Sequence, residues 1–470
     1  MGSGAMVEEQ RGPGSPSAED AATGILPTPV KLGYGVGAVG GQIFRDTPAL
    51  ILPIYMMTVL GIPAWMSGIA ILIPKAWIIF CDPLVGSWSD RRRDSWGRAP
   101  FLIAGALLSG LTFISMFSAP QFPSDWMSAA YITATFLLAS TSYSLFSVTY
   151  LGVAAEMSPL ARERTRIMAY RMAFLAVGVG IGAGYALPVA NRFGGGWEGF
   201  QRMGFLYGGA CLLTMLVTGL TIRALPKPST PLDDSGAAGQ GGWRALVANR
   251  PFVFLSSAYF VALTGQAITY TVFGLFFIFV MHRPDDLIVI NVAAALSVVV
   301  AQPITLWMTR FWSKRTIYMI GIVGWSLMSL SWALSGPDEA AHWAAATGLP
   351  FTQTFVMGLR GFFWGGFNAV YVLMALSMMT DTIAWDRSQH GATRSGLFAG
   401  VFSAVEKVSF ALGPAIGGVI LSAGGFVADR GGGAAQSAGA ITTLVLVFSV
   451  IPALFKLSSL ALISRYRLAD

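Results

Sequence analysis

Ten charged residues that we single out inside apolar segments of this 470-residue chain could pair or carry a proton between helices. If these segments cross a membrane, each charge costs about 2.5 to 3.5 kcal/mol on insertion scales, and such residues usually line a cavity or pair with one another. They are Arg45, Asp46, Lys75, Asp82, Glu156, Arg171, Arg360, Asp381, Glu406 and Lys407. For Arg45, Asp46 and Arg360, a satisfied ion pair or a side chain that reaches the membrane surface is an equally good interpretation.

Asp82 and Lys407 lie deepest in apolar sequence and in opposite halves of the chain. A buried carboxylate with a movable cationic partner can take up and release a proton or a sodium ion as its surroundings change. Lys75 precedes Asp82 by two turns of a helix, so both would lie on one helical face. The pattern predicts ion-coupling chemistry at Asp82 and Lys407, with a structural ion pair as the alternative.

The composition shows what kind of element must hold these residues. The chain is 54% hydrophobic and 11% charged, with a mean hydropathy of +0.63, whereas a soluble domain is about 25% charged. We therefore predict an integral membrane protein. Cys81 and Cys211 stand in apolar runs, so we expect no disulfide framework, metal site or cofactor. The net charge of +7 is explained by loop arginines that orient the chain, so no nucleic-acid partner is expected.

Apolar stretches of about 20 residues or more, long enough to cross a bilayer, occur twelve times. They lie near 32–60, 65–88, 99–118, 127–155, 167–191, 202–224, 251–281, 285–309, 316–335, 351–380, 393–424 and 438–464. Residues 1–28 are polar and rich in Pro, Gly and Glu, which predicts a disordered tail and no cleaved signal peptide. The longest polar connection, 225–250, separates a six-helix half at 29–224 from a second at 251–470. We therefore predict an all-α membrane protein with two six-helix halves.

Lysine and arginine are concentrated in the loops that follow even-numbered helices, which predicts that these loops and both termini face the cytoplasm. These loops hold Arg91, Arg92, Arg93, Arg98, Arg162, Arg164, Arg166, Arg223, Lys227, Arg244, Arg250, Arg310, Lys314, Arg315, Arg387 and Arg394. The opposite loops hold only Arg192, Arg202, Arg283 and Arg430. The segments WSDRRR at 88–93 and WSKRT at 312–316 follow the second helix of each half, as expected of transporters whose repeated halves rock around a central site.

Four segments carry a resemblance to a known family. They are KLGYGVGAVGG, DPLVGSWSDRRRDSWGRAPF, AEMSPLARERTRIMAYR and DTIAWDRSQHGATRSGLFAGVFSAVEK. Over roughly residues 30–465 the chain resembles the glycoside–pentoside–hexuronide:cation symporters of the major facilitator superfamily. The resemblance implies a major facilitator fold with twelve transmembrane helices and alternating access. It also implies a small-molecule or lipid-like substrate, a coupling cation and a bacterial inner membrane as the location.

The resemblance also assigns roles to individual residues. Asp82 matches the family's cation-site acid in helix two, Lys407 its lysine in helix eleven, and Arg171 its arginine at the substrate cavity. Four residues resemble the cytoplasmic gate between helices two and three, namely Asp90, Arg91, Arg92 and Arg98.

The chain departs from the melibiose branch of this family at three positions. Ile78 stands where that branch has a second helix-two acid, and Gln42 and Ser147 stand where it has two sugar-holding acids. Sodium needs several oxygen ligands, whereas one carboxylate can carry a proton, so a proton is favoured and sodium stays open. Tyr150 and Trp364 could supply an apolar wall to the substrate site, although aromatic residues more often serve packing.

Sugar or glycoside is the substrate that the resemblance implies, and an amphipathic anion such as a lysophospholipid, which Arg171 would suit, is the alternative. Other classes of protein have less support. No P-loop is present, so direct ATP drive is not expected. The three histidines make no catalytic cluster, so we do not expect an enzyme. A non-transporting scaffold with the same fold is a further alternative, against which the retention of Asp82 and Lys407 argues.

Overall fold

The computed structural model describes residues 25–158, 161–225, 246–390, 395–428 and 435–467, and a few side chains within these ranges are left undescribed. Most of the predicted tail, and the linker at 226–245, fall outside the described residues. The first helix begins at Thr28, the last residue of the predicted tail, since Pro29 fits the first turn of a helix, where its missing N–H is not needed.

Long helices form both halves. The first half contains α1 (Thr28–Ile54, continued by a π-helical turn, Tyr55–Val59), α2 (Ala64–Arg91), α3 (Ala99–Phe117), α4 (Asp125–Glu156), α5 (Ala161–Val179, then Gly180–Tyr185 and Ala186–Arg192) and α6 (Gly196–Arg223). The second half contains α7 (Arg250–Phe279), α8 (Asp286–Met308), α9 (Lys314–Ser331), α10 (Gln353–His390), α11 (Ser395–Ala423) and α12 (Ala438–Val445, then Leu446–Val450 and Ile451–Ile463). A short helix, Glu339–Thr347, lies between α9 and α10.

Eleven of the described helices, α2 to α12, are long and apolar enough to cross a membrane. The remaining helix, α1, has 27 residues and includes Lys31, Arg45 and Asp46. Since α1 packs against α5, α6 and α7, it completes the predicted set of twelve from inside the bundle. Large apolar side chains on the outside of the bundle, such as Phe80 and Leu84, are more than 60% exposed, as expected of a surface that faces lipid.

Glycines let α1 pack closely against α6. A Cβ at Gly33, Gly37 or Gly40 would lie 2.3 to 2.4 Å from a threonine hydroxyl of α6. One of these threonines, Thr218, donates its hydroxyl to the carbonyl oxygen of Gly33 at 2.8 Å. Small residues at such contacts are typical of helix packing in membranes.

The two halves are joined at the end of the bundle opposite the chain termini. At this end α2 packs against α11 and α5 against α8. The backbone N–H of Trp65 donates to Ser422 Oγ at 2.9 Å. Asn291 Nδ2 lies 3.4 Å from the carbonyl oxygen of Ala183.

Candidate functional site

Asp82 of α2 and Lys407 of α11 form an ion pair that joins the two halves. Lys407 Nζ donates to Asp82 Oδ2, and Ser144 Oγ of α4 donates to Asp82 Oδ1 at 2.5 Å. The side chain of Asp82 is 18% exposed and that of Lys407 is 37% exposed, so the pair is only partly buried. The fold thus brings together two predicted residues that lie 325 positions apart.

Lys75 makes a second contact with α11, and a proline explains it. Lys75 Nζ donates to the carbonyl oxygen of Phe410 at 3.3 Å. Pro414 stands four positions after Phe410 and has no N–H, so this carbonyl lacks its usual helical donor. Lys75 supplies a donor from the other half. Lys75 and Asp82 therefore both meet α11, in agreement with their predicted common face.

A second group of polar residues lies on α1. Gln42 Nε2 donates to Asp46 Oδ2 at 2.7 Å, and Arg45 Nε lies 3.3 Å from Asp46 Oδ1. Gln42 is buried because α5 approaches closely, since a Cβ at Gly178 would lie 2.7 Å from the Cβ of Gln42. Arg45 and Asp46 thus form an ion pair with each other, as the alternative interpretation of these charges expected.

Arg171 of α5 lies beside two stacked tyrosines. Its guanidinium carbon is 5.4 Å from the ring centroid of Tyr150, and its Nε is buried with no hydrogen-bond partner among the described residues. Tyr150 and Tyr34 stack at 4.5 Å and each donates its hydroxyl to the other's carbonyl oxygen. An unpaired guanidinium N–H beside an aromatic ring suits a charged or hydroxyl oxygen. Ser147, which was also predicted at the substrate site, is half-buried on α4.

Trp364 belongs to an aromatic cluster of the second half. Its ring centroid lies 5.5 Å from that of Trp325 and 5.9 Å from that of Phe273. Its Nε1 is buried, and the described residues offer it no hydrogen-bond partner. Trp364 thus packs against other rings and has one N–H left to donate, and its role at the substrate site stays a prediction.

Two polar residues of this region were not singled out from the sequence. Ser144 contacts Asp82, but serines are frequent in α4 and their spacing gave no signal. Lys456 of α12 is fully buried and donates to Gln266 Oε1 at 3.2 Å. A lysine within the predicted apolar stretch 438–464 was the signal that could have identified it.

The predicted gate residues meet different neighbours. Arg91 and Arg92 are exposed, whereas Arg98 Nη1 donates to Ser89 Oγ at 2.6 Å and so ties the start of α3 to α2. The side chain of Asp90 lies outside the described residues. A gating role for these residues stays a prediction.

Other charges of the apolar segments form ion pairs within the second half. Arg360 makes two hydrogen bonds, of 2.7 and 2.5 Å, to the carboxylate of Glu339 on the short helix, and both residues are buried. Asp381 accepts from Lys314 Nζ at 2.7 and 2.8 Å. The structural interpretation therefore holds for Arg360 and Asp381, while the side chain of Glu156 lies outside the described residues.

Comparison with known proteins agrees with this architecture. The sequence profile of the family described as MFS/sugar transport protein matches residues 33–470. The putative glycoside/cation symporter YagG of Escherichia coli is 24% identical over 453 residues, covering 94% of this chain and 92% of that protein. The putative sulfoquinovose importer of E. coli is 22% identical over 403 residues, covering 84% and 82%. Among solved structures, an inward-facing bacterial homologue of the human lysosomal transporter Spinster is 12% identical and covers 94% of this chain and 97% of its own, with a TM-score of 0.66, which concerns the fold alone.

Proposed function

The chain belongs to the MFS/sugar transport protein family, and on this premise we propose that it is a symporter that carries a sugar or glycoside together with a proton. The observation that carries the proposal is the Asp82–Lys407 pair, because it crosses between the halves, contains a titratable carboxylate and is only partly buried. The names of the curated relatives support cation-coupled transport of a small solute.

Protonation of Asp82 would change the contact between the halves. The ionised carboxylate attracts Lys407 strongly, since opposite charges interact more strongly where little water surrounds them. A protonated Asp82 loses this attraction and keeps only neutral hydrogen bonds, such as the one from Ser144. Lys407 and α11 can then move away from α2. In this way a bound proton would shift the balance between two arrangements of the halves.

The surroundings of Asp82 support a proton over sodium. Sodium requires several oxygen ligands, and among the described residues Ser144 is the one hydroxyl that hydrogen-bonds to the carboxylate. Ile78, one turn earlier on α2, has no oxygen to offer. The hydroxyl of Thr149, another conceivable ligand, donates to Ser89 Oγ at 3.4 Å instead.

We further propose that the protein lies in a bacterial inner membrane with both termini in the cytoplasm. The concentration of arginine on the side of the termini supports this orientation. The joined ends of the halves would then face the outside, and water would reach Asp82 from the cytoplasm, which corresponds to an inward-facing state.

Uptake into proteoliposomes tests the function. The labelled probes are methyl α-glucoside, methyl α-sulfoquinovoside and lysophosphatidylcholine, each with an imposed pH gradient and with or without a sodium gradient. We expect accumulation of a sugar that follows the pH gradient and does not respond to sodium. Strong sodium stimulation at fixed pH would identify sodium as the coupling ion, and no transport of any probe would favour the scaffold.

Arg171 supports a second candidate, an anionic substrate such as a sulfonated sugar or a lysophospholipid. Its buried and unpaired Nε is suited to a charged oxygen. Arg171→Ala should weaken binding by about 1.5 to 3 kcal/mol if a charged hydrogen bond is lost.

Methyl α-glucoside carries a hydroxyl at the one carbon where methyl α-sulfoquinovoside carries a sulfonate. Calorimetry with both glycosides therefore separates a neutral sugar from an anionic substrate. A loss confined to the sulfonate would assign Arg171 to an anion, and equal losses would assign it to a hydroxyl. Arg202→Ala, which breaks an exposed ion pair with Glu198, is the control. Unchanged affinity in Arg171→Ala would place the substrate elsewhere.

A further inference from the structure

The first helix of each half carries the same polar arrangement. In α1, Gln42 follows a glycine, and Asp46 stands four positions after it. In α7, Gln266 also follows a glycine, and Tyr270 stands four positions after it. Gln42 Nε2 donates to Asp46 Oδ2 at 2.7 Å, and Gln266 Nε2 donates to the Tyr270 hydroxyl at 2.9 Å. Because α1 and α7 pack against each other, two matching pairs belong to opposite sides of the interface between the halves.

The orientation of the α7 pair is fixed by two donors. Tyr371 Oη and Lys456 Nζ both donate to Gln266 Oε1. With both of these donors on the amide oxygen, the amide N–H faces Tyr270. The hydroxyl of Tyr270 accepts that N–H, and its own proton has no acceptor among the described residues. Tyr270 is therefore ready to donate to a ligand.

Lys456 stabilises this orientation of the Gln266 amide. Its Nζ lies 3.6 Å from the ring centroid of Trp325 and 3.9 Å from that of Tyr371, so it is held between two aromatic rings. No carboxylate among the described residues forms an ion pair with it. Its one described hydrogen bond goes to Gln266.

Tyr270 also lies where the halves meet. Its ring centroid is 6.0 Å from that of Phe410, the residue whose carbonyl oxygen accepts from Lys75 of the first half. Asp46 and Arg45 of α1 are close enough to interact with it electrostatically. The α1 and α7 pairs thus border the same region of the interface.

We propose that Gln42–Asp46 and Gln266–Tyr270 are two opposed clamps for hydroxyl groups of the sugar, and that Lys456 is the positioning residue of the second clamp. The inference rests on the proposed function. Amide, carboxylate and phenol groups together offer the donors and acceptors that adjacent sugar hydroxyls need. A site that hydrogen-bonds a hydroxyl in this way discriminates against the analogue that lacks it. A sugar held by both clamps bridges the two halves.

Calorimetry on the purified full-length protein tests the clamps. The probes are the methyl glycosides of glucose, galactose and xylose and the singly deoxygenated forms of whichever binds. Tyr270→Phe and Gln42→Met should each raise Kd about two- to tenfold, as expected for one lost neutral hydrogen bond. Each variant should also lose the discrimination against one deoxy sugar. Tyr259→Phe, in the same helix and with its ring stacked on Phe402, is the matched control and should keep the wild-type Kd.

The role of Lys456 is tested by a double-mutant cycle. Lys456→Met should raise Kd in the wild-type background but have no further effect in Gln266→Met, because the amide that it positions is then absent. A purely structural role would lower binding equally in both backgrounds. If Lys456→Met does not fold, Tyr371→Phe takes its place in the same cycle, because it removes the other donor to Gln266 Oε1.

The outcomes separate this inference from the proposed function. If the wild-type protein binds none of the glycosides, the proposed function fails and the inference fails with it. If the wild-type protein binds one of them but Tyr270→Phe and Gln42→Met bind it equally well, the inference alone is wrong.

Discussion

Two lysines of the second half, Lys407 and Lys456, lie in contrasting surroundings. Lys407 faces a carboxylate of the other half, and its side chain is 37% exposed. Lys456 is fully buried between the rings of Trp325 and Tyr371, within its own half. A carboxylate can gain a proton and release its partner, whereas an aromatic ring has no such second state. We therefore expect Lys407, whose partner is a carboxylate across the interface, to move, and Lys456 to stay in place.

Replacing Asp82, the acid that pairs with Lys407, should affect transport most. Asp82→Asn should reduce pH-driven accumulation to the level of empty liposomes, because Lys407 loses its titratable partner, while exchange of bound substrate persists. Uptake and counterflow in proteoliposomes measure both properties. Asp381→Asn, which loses an ion pair with Lys314 away from the interface, should still accumulate substrate. Wild-type accumulation in Asp82→Asn would remove this pair from the mechanism.

A third lysine, Lys75, also contacts the other half, but its partner is the carbonyl oxygen of Phe410 instead of an acid. Lys75→Met should raise maleimide labelling of Ser422→Cys, at the joined end of the halves, about two- to tenfold, since one hydrogen bond between the halves is lost. In Pro414→Ala the carbonyl oxygen of Phe410 regains a helical N–H, so Lys75→Met should have a smaller effect there. Equal effects in both backgrounds would show that the proline-freed carbonyl does not hold Lys75.

The smallest effect is expected for an ion pair that lies within one half. Glu163 is buried, and burial alone would raise its pKa. The pKa nevertheless lies below its ordinary value, because the carboxylate accepts hydrogen bonds from Lys31 and from the N–H of Leu26 and lies near the charge of Arg166. The ion pair between Glu163 and Lys31 therefore stabilises the folded protein at neutral pH, and this contribution is lost as the pH falls through the lowered pKa of Glu163.

Glu163→Gln should lower stability at pH 7 by about 1 kcal/mol, the difference between a charged and a neutral hydrogen bond. The difference from wild type should disappear in acid. Thermal melts from pH 3 to pH 8 measure it, with Glu198→Gln, which breaks an exposed pair, as the control. Reduced pH-driven uptake beyond this loss of stability would mean that a pair within one half also contributes to coupling.

Much of the fold could be predicted from the sequence. The number of apolar stretches predicted the helices, and their boundaries agree to within several residues except in α10, which continues to His390 rather than ending near 380. That helix extends beyond its apolar part because intrahelical hydrogen bonds also form in water, and there Asp381 pairs with Lys314 of α9. Hydropathy indicates where a helix is buried in lipid, and it does not indicate where the helix ends.

The candidate site was predicted unevenly. Asp82, Lys407 and Arg171 were identified because a charge in an apolar segment is costly and therefore conspicuous. Ser144 and Tyr270 were not, because a hydroxyl or a phenol costs little in a membrane helix and gives no such signal. The roles of all these residues stay predictions until the transport and binding measurements are made.

That this chain forms a bundle of membrane helices with a few charges inside it follows from its sequence, because bilayer thickness and the cost of burying charge act on each segment separately. The partner of each charge, in contrast, is set by tertiary packing. The contact between Asp82 and Lys407 joins positions 325 residues apart, and the contact between Lys456 and Gln266 joins positions 190 residues apart. Such contacts depend on how helices from both halves pack, and hydrophobicity along one segment carries no information about a neighbour that distant in the chain.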